Sequence, residues 1–135
     1  MKTATQIQRE IIELLSSSAL VGEITGNVYV ERNRPVDGTL EDIAVIYTTG
    51  DNDDKQKHIL TLHIYIEDVE YVQGEEIRLG RNEDRVERLE LLAQQWISSV
   101  VECFDYITLR EPIKTTKDED RTQHFVVIKL EYENL

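Results

Sequence analysis

The chain has 135 residues, 40% of them hydrophobic and 31% charged, and its 27 acidic and 15 basic side chains leave a formal charge of −12. That length suits a single domain, residues 1–135, with a core of its own, and the recurring aliphatic and Tyr positions argue against disorder. The charge disfavours capture of nucleic acid or of an anionic membrane by the whole surface, and no run of Lys and Arg with interleaved aromatics marks a local basic patch.

The opening "MKTATQIQREIIELL" interrupts its apolar residues with Gln, Arg and Glu, so no secretory leader is expected, and the expected compartment is a cytoplasm. No apolar run is long enough to span a bilayer. Thr3 and Gln6 have the spacing of a capping box, which predicts a helix behind them. Ala4, Ile7, Ile11, Leu14 and Leu15 fall on one stripe of that helix, and the run Ser16-Ser17-Ser18 weakens it before Ala19 to Gly22. Val28 and Val30 alternate with Tyr29 and Glu31 in a short strand, and "NRPVDG" after it is turn chemistry.

A second strand covers about Asp42 to Thr49 and a third lies in "KQKHILTLHIYIEDV". Taking every second residue of the third puts Leu60, Leu62, Ile64 and Ile66 on one face, and Ile59, Thr61, His63 and Tyr65 on the other. His58 and His63 are an odd number of positions apart and point to opposite faces, so they cannot share a metal ion. The stretch reads as sheet, not site. The two strands form a hairpin whose polar tip holds Asp51, Asn52, Asp53 and Asp54. An EF-hand fails there, because Lys55 and Gln56 replace a ligand and the required Gly, and Leu62 stands where the bidentate Glu belongs. A solvated, exposed tip is the expectation.

Glu67 to Arg81, "EDVEYVQGEEIRLGR", reads as an arm: either a second hairpin turning at Gln73-Gly74 or a segment covered by a partner. Its apolar residues Tyr71, Val72, Ile77 and Leu79 are the candidate oligomer interface. Asn82 can cap the next helix, with Glu83 and Asp84 in its first turn and Asp84 paired to Arg88. Val86, Leu89, Ala93, Trp96 and Val100 form its core stripe, with Trp96 as a packing anchor. Cys103 lies seven residues after Trp96 and is expected to be buried. A single Cys cannot close an intramolecular disulfide, and with three separated His it cannot build a zinc cluster. "DYITLRE" and "HFVVIKLEYE" read as strands joined by the polar "PIKTTKDEDRT", and His124 as a structural histidine with a satisfied partner. The expected fold is α+β, an antiparallel sheet of about five strands carrying two helices, in the order α-β-β-β-(arm)-α-β-β.

No Gly-rich phosphate loop, G-x-S-x-G elbow, H-E-x-x-H or activated cysteine is present, and the scattered acids define no pair. No catalytic residue, metal site or cofactor is therefore expected, and the chain is read as a non-enzyme. The element order and local patterns do resemble the tail-completion, or tail-terminator, proteins of long-tailed bacteriophages. The resemblance covers nearly the whole length: the opening helix, "ALVGEITGNVYVERNRP", "EDIAVIYTTGD", "KQKHILTLHIYIED", the helix Glu83 to Phe104, and "DYITLRE" followed by "DRTQHFVVIKLEYEN". The family's proline-rich approach to the second strand is reduced here to Arg34-Pro35.

This resemblance implies a phage or prophage virion structural protein whose copies form a ring, typically a hexamer, on the head-proximal end of the tail tube. Its partners would be itself, the tail tube protein and the head connector protein. DNA would pass through without specific binding, no membrane would be involved, and assembly would take place in the host bacterial cytoplasm before the protein joins the virion tail. A small acidic α+β protein-binding module, an adaptor or immunity-type protein masking a basic partner, is the alternative. Carboxylate enzyme chemistry is a third reading.

Overall fold

The computed structural model describes residues 2–50 and 56–134. In chain order its elements are α1 (Ala4–Ser16), α2 (Ala19–Glu23), β1 (Val28–Val30), β2 (Ile43–Gly50), β3 (Gln56–Glu67), β4 (Val69–Gln73), β5 (Glu76–Gly80), α3 (Glu83–Cys103), β6 (Ile107–Leu109), β7 (Lys114–Lys117) and β8 (Gln123–Asn134). The architecture is α+β. β1, β2, β3, β8 and β6 neighbour one another in that order, with β7 also on β8, while β4 and β5 form a separate two-stranded sheet.

β3 and β8 run antiparallel in unbroken register from Gln56↔Asn134 to Glu67↔Gln123. The period-two alternation of β3 is realised: Leu60, Leu62 and Ile64 are fully buried and Ile66 nearly so. Val126, Ile128, Leu130 and Tyr132 of β8 join them in the same core. The helices cover this face. α1 contributes Ile7, Ile11 and Leu15, and α3 contributes Val86, Leu89, Ala93, Trp96 and Val100. The Trp96 Nε1–H donates to the Leu14 carbonyl at 3.2 Å, so the anchor also ties the two helices together.

The helix signals are read out as chemistry. Thr3 Oγ1 accepts from the Gln6 amide (3.2 Å) while Gln6 Oε1 accepts from the Thr3 amide (2.8 Å), the reciprocal box expected there. Asn82 Oδ1 accepts from the Arg85 amide, and Glu83 and Asp84 occupy the first turn of α3. The serine run does more than weaken a helix: Ser18 Oγ accepts from the Val21 amide and starts α2.

Four expectations are corrected. The sheet is mixed, because β1 pairs parallel with β2. Parallel neighbours need a crossover, not a tight turn, and residues 31–42 supply it by passing over the helix-free face, where Arg32, Arg34, Pro35 and Val36 meet Ala44, Tyr65 and Phe125. The polar connector before the last strand contains β7, whose Thr and Lys residues pair with His124 to Val127 at the sheet edge, a place where apolar patterning is not required. Cys103 is exposed. The stripe drifts about 20° per heptad, and Val100 is the last buried residue of α3. Finally, Arg88 pairs with Glu23 of α2 at 3.6 Å and not along its own helix with Asp84.

Asp42 fixes the crossover. Its side chain, 3% exposed, accepts from the Asn27 amide (2.8 Å) and from Arg34 Nε (2.9 Å). A Cβ on Gly26 would collide with Asp42 Oδ1 and lie 2.6 Å from the Glu41 carbonyl, so glycine is needed for this approach. β1 is followed at once by Glu31, whose φ of 54° is rare for a residue with a side chain. The turn is held because the Glu31 amide donates to Val45 O (2.8 Å) and its carboxylate accepts from the Tyr47 amide (3.0 Å) and from buried Gln8.

Leu62 has no exposed surface, so Leu62→Ala should destabilise the fold by about 2–5 kcal/mol through the cavity it leaves. Urea denaturation of the two proteins measures this, and a loss well under about 1 kcal/mol would place Leu62 outside the core.

Candidate assembly surfaces

The segment read as an arm is a hairpin. β4 and β5 pair antiparallel from Val69↔Gly80 to Gln73↔Glu76, leaving Gly74 and Glu75 as a two-residue loop, one position later than the sequence suggested. Gly74 has φ +67°, the sign that a type II′ turn requires at its first central residue. The register also sorts the four candidate interface residues. Val72 lies opposite Ile77, and Glu70 opposite Leu79, so these share one face. Tyr71 lies opposite Arg78 and belongs to the other face.

All four are exposed, Tyr71 at 45%, and their contacts divide them by role. Val72, Ile77 and Leu79 are 70%, 64% and 56% exposed, a degree seldom reached by aliphatic side chains clustered on one face of a folded chain. Tyr71 is a root instead: its hydroxyl donates to the Arg81 carbonyl (2.6 Å), and its ring lies against Gly80, where a Cβ would come within 3.2 Å. The base is further pinned by Asp68, whose carboxylate, 3% exposed, meets His124 Nδ1 at 2.6 Å and Lys117 Nζ at 3.8 Å. The Asp68 amide donates to the Thr122 carbonyl. His124 is thus the structural histidine expected, and its partner fixes where the arm leaves the sheet.

The second surface is the sheet face away from the helices. A groove of about 350 Å³ lies between the crossover loop and the strands, lined by Arg32, Val36, Ile46, Tyr65, Arg121 and Phe125 among others. The His63 ring stacks on Phe125 with centroids 4.3 Å apart, and the Arg34 guanidinium lies 4.1 Å from the Tyr65 ring centre. Arg34 also donates to the carbonyls of Gly38 (3.1 Å) and Leu40 (3.0 Å), and Arg121 Nη1 to that of Val36 (2.7 Å), so arginines hold the loop over the sheet. Sequence reasoning missed this cluster because Arg121 lies far along the chain from Arg32 and Arg34, and the three form no run. Burial, reinforced by Arg32, pushes the His63 imidazole down to about 4.

His58 and His63 do lie on opposite faces. His58 sits at the core edge with Nδ1 2.7 Å from the Tyr47 hydroxyl, and its buried Nε2 has no hydrogen-bond partner among the described residues. Desolvation lowers its pKa as well. Lys2, Glu10, Tyr106 and Tyr132 form a knot joining the N-terminal segment to β8: Tyr132 donates to Glu10 at 2.6 Å, Tyr106 donates to it at 2.8 Å, and Lys2 donates to both Glu10 and Tyr132. Burial raises the Glu10 carboxyl, but these donors outweigh it and leave it below its usual range. Each group in the knot spends its hydrogen-bonding capacity on another. Asp51, Asn52, Asp53 and Asp54 lie outside the described residues. Among the described residues no group of three or more His, Cys, Asp or Glu is placed to hold a metal ion, and no helix is long and apolar enough to cross a membrane.

Two measurements follow from this geometry. Asp68→Ala should cost about 1–3 kcal/mol by stripping a buried partner from His124, with amide exchange quickened in Val69 to Gly80; unchanged exchange there would show that the arm is held by other contacts. For His63, a folded pKa near 4 lies below the ordinary value of 6.5, so between these pH values the unfolded chain binds the extra proton. Stability is then full above the unfolded value and is lost as pH falls toward 4. His63→Phe should flatten that part of a thermal-stability profile, leaving the loss contributed by His58 and, lower down, by the carboxylates. An unaltered profile would exclude His63 as its source.

Comparison with the models of known protein families finds none that matches this chain, and comparison with curated proteins likewise finds no match.

Proposed function

We propose that this chain is a structural subunit of a phage or prophage tail, a tail-completion or tail-terminator protein that forms a ring at the head-proximal end of the tail tube and joins it to the head connector. The carrying observation is the hairpin β4–β5, which presents Val72, Ile77 and Leu79 together on one exposed face and is anchored at its base. A rigidly rooted apolar arm fits a neighbouring subunit better than it fits solvent. Both edges of the main sheet are short, β1 having three residues and the other edge being divided between β6 and β7. Such edges discourage uncontrolled strand addition and leave the arm as the principal element for lateral contact. Heterologous contact of this kind closes into rings when the rotation permits. Each copy brings a charge of −12, which suits a lumen along which DNA slides without sticking.

The same acidity favours the second reading, a small acidic module in which the arm and its surroundings would mask a basic partner. Oligomeric state separates the two. The wild-type protein should form rings by negative-stain electron microscopy and sedimentation, more readily at moderate salt, where counterions screen like-charged subunits, than at low ionic strength. Deletion of Val72 to Leu79 should leave a folded monomer. A wild-type protein that stays monomeric at high concentration in every salt, and that tail tubes do not drive into a ring, would remove the tail-terminator reading and put the binding module ahead.

A further inference from the structure

The apolar face of the arm stands exposed on its own chain, and the helix-free side of the main sheet carries an open groove. We infer that the groove between the crossover loop and β2, β3 and β8 receives the β4–β5 arm of a second copy of this chain. This rests on reading the arm as an assembly element, and it adds the surface on which the arm lands.

Chemistry matches the two surfaces. The arm offers Val72, Ile77 and Leu79 on one face, with Glu70 beside them and Glu75 and Glu76 at the turn. The groove offers apolar walls in Val36, Ile46 and Phe125 and a rim carrying Arg32 and Arg121. Arg34 is already engaged by Asp42, whereas no ion pair among the described residues engages Arg32 or Arg121. Asp118 and Asp120 also border the groove beside Arg121, and Asp118 accepts from the Gln123 side chain (2.8 Å) and the Asp120 amide (3.0 Å). In a molecule of charge −12, an acidic arm is repelled by most of the surface, so a groove lined by three arginines, two of them in no ion pair among the described residues, is the better-matched hollow even with Asp118 and Asp120 at its border. Two other hollows are poorer matches: one between α2 and α3, lined by Leu20, Leu92 and Trp96, holds no charged side chain, and one beside Ile97 and Val101 is bordered by Glu102.

Arm and groove are different surfaces of the same subunit, so each copy donates to one neighbour and accepts from the other, the head-to-tail arrangement a ring needs. The outer face of β3 gains a role from this arrangement, because Tyr65 and His63 support the floor on which the arm would lie.

Cross-linking tests this directly. In a Cys103→Ser background, which removes the exposed native thiol, Val36→Cys places a thiol on the groove and Val72→Cys one on the arm; both positions are exposed, so the fold should tolerate them. With a short bismaleimide, the protein carrying both cysteines should give a ladder of covalent oligomers. The two single-cysteine proteins mixed together should give only the mixed dimer. Arg32→Glu should weaken association about tenfold or more while leaving the circular dichroism spectrum unchanged. A protein that sediments as a ring but yields no such cross-link, or whose association is indifferent to Arg32→Glu, would overturn the groove assignment and leave the tail-terminator reading standing. A cross-linked ladder from a protein that never closes a ring and ignores tail tubes would support arm-in-groove docking and remove that reading instead.

Discussion

The pairing of β3 with β8 is the constraint from which the rest of the molecule is built. These are the two longest strands, matched residue for residue, and both are flanked by other strands: β2 on one side, β6 and β7 on the other. Because side chains alternate, their register decides at once which residues enter the helix-covered core and which form the opposite face; a slip of one residue would exchange the two sets. Leu60, Leu62 and Ile64 lie across from Leu130, Ile128 and Val126, an alignment that puts all six on the core face. The same ladder ends at Glu67↔Gln123, and the arm departs immediately beyond it, so the placement of an exposed element is set by buried apolar packing.

Charge is handled with economy. With 15 basic residues against 27 acidic ones, the chain uses its arginines as multiple-contact hubs. Arg85 grips Glu41 with two nitrogens (2.8 and 2.7 Å) and reaches Glu23 with a third (2.9 Å), joining α3 to α2 and to the segment entering β2. Arg34 joins Asp42, two loop carbonyls and the Tyr65 ring. The planar guanidinium suits such simultaneous, directional contacts in a way that the point charge of lysine does not. Both hubs hold the polar crossover of residues 31–42, where there is little apolar surface to fix the chain by burial.

What could be read from the residues was whatever depends on local periodicity or on short-range capping. The Thr3–Gln6 box, the α3 stripe and the faces of β3 all carry their cause within a few positions, whereas for residues 67–81 the hairpin is one of two readings that the residues leave open. Features set by distant partners were not legible. "NRPVDG" has turn residues, yet only the burial of Asp42 beneath Gly26 and Arg34 makes that loop cross the sheet and bring β1 in parallel. β7 takes its identity from β8, not from its own Lys-Thr-Thr-Lys composition. Tyr71 shares apolar character with Val72, Ile77 and Leu79, but strand parity turns it toward the root. The groove could not be anticipated, since only the fold brings Arg121 and the aromatic rings of β3 and β8 to Arg32 and Arg34.

The position of β8 along the chain bears on how the protein is made. β8 leaves the ribosome after every strand it must join, and the chain between Glu67 and Gln123 has to be gathered in before the central ladder can close. Contacts of such long sequence separation form slowly, whereas the β2–β3 and β4–β5 pairs are local and quick. Until β8 arrives, β3 presents an unpaired edge with isoleucines and leucines on one side and aromatic rings on the other, the kind of surface that invites intermolecular strand pairing. The nascent chain is therefore most vulnerable to aggregation in the interval before β8 emerges, and the step that ends that interval is the insertion of β8 between β3 and the edge formed by β6 and β7.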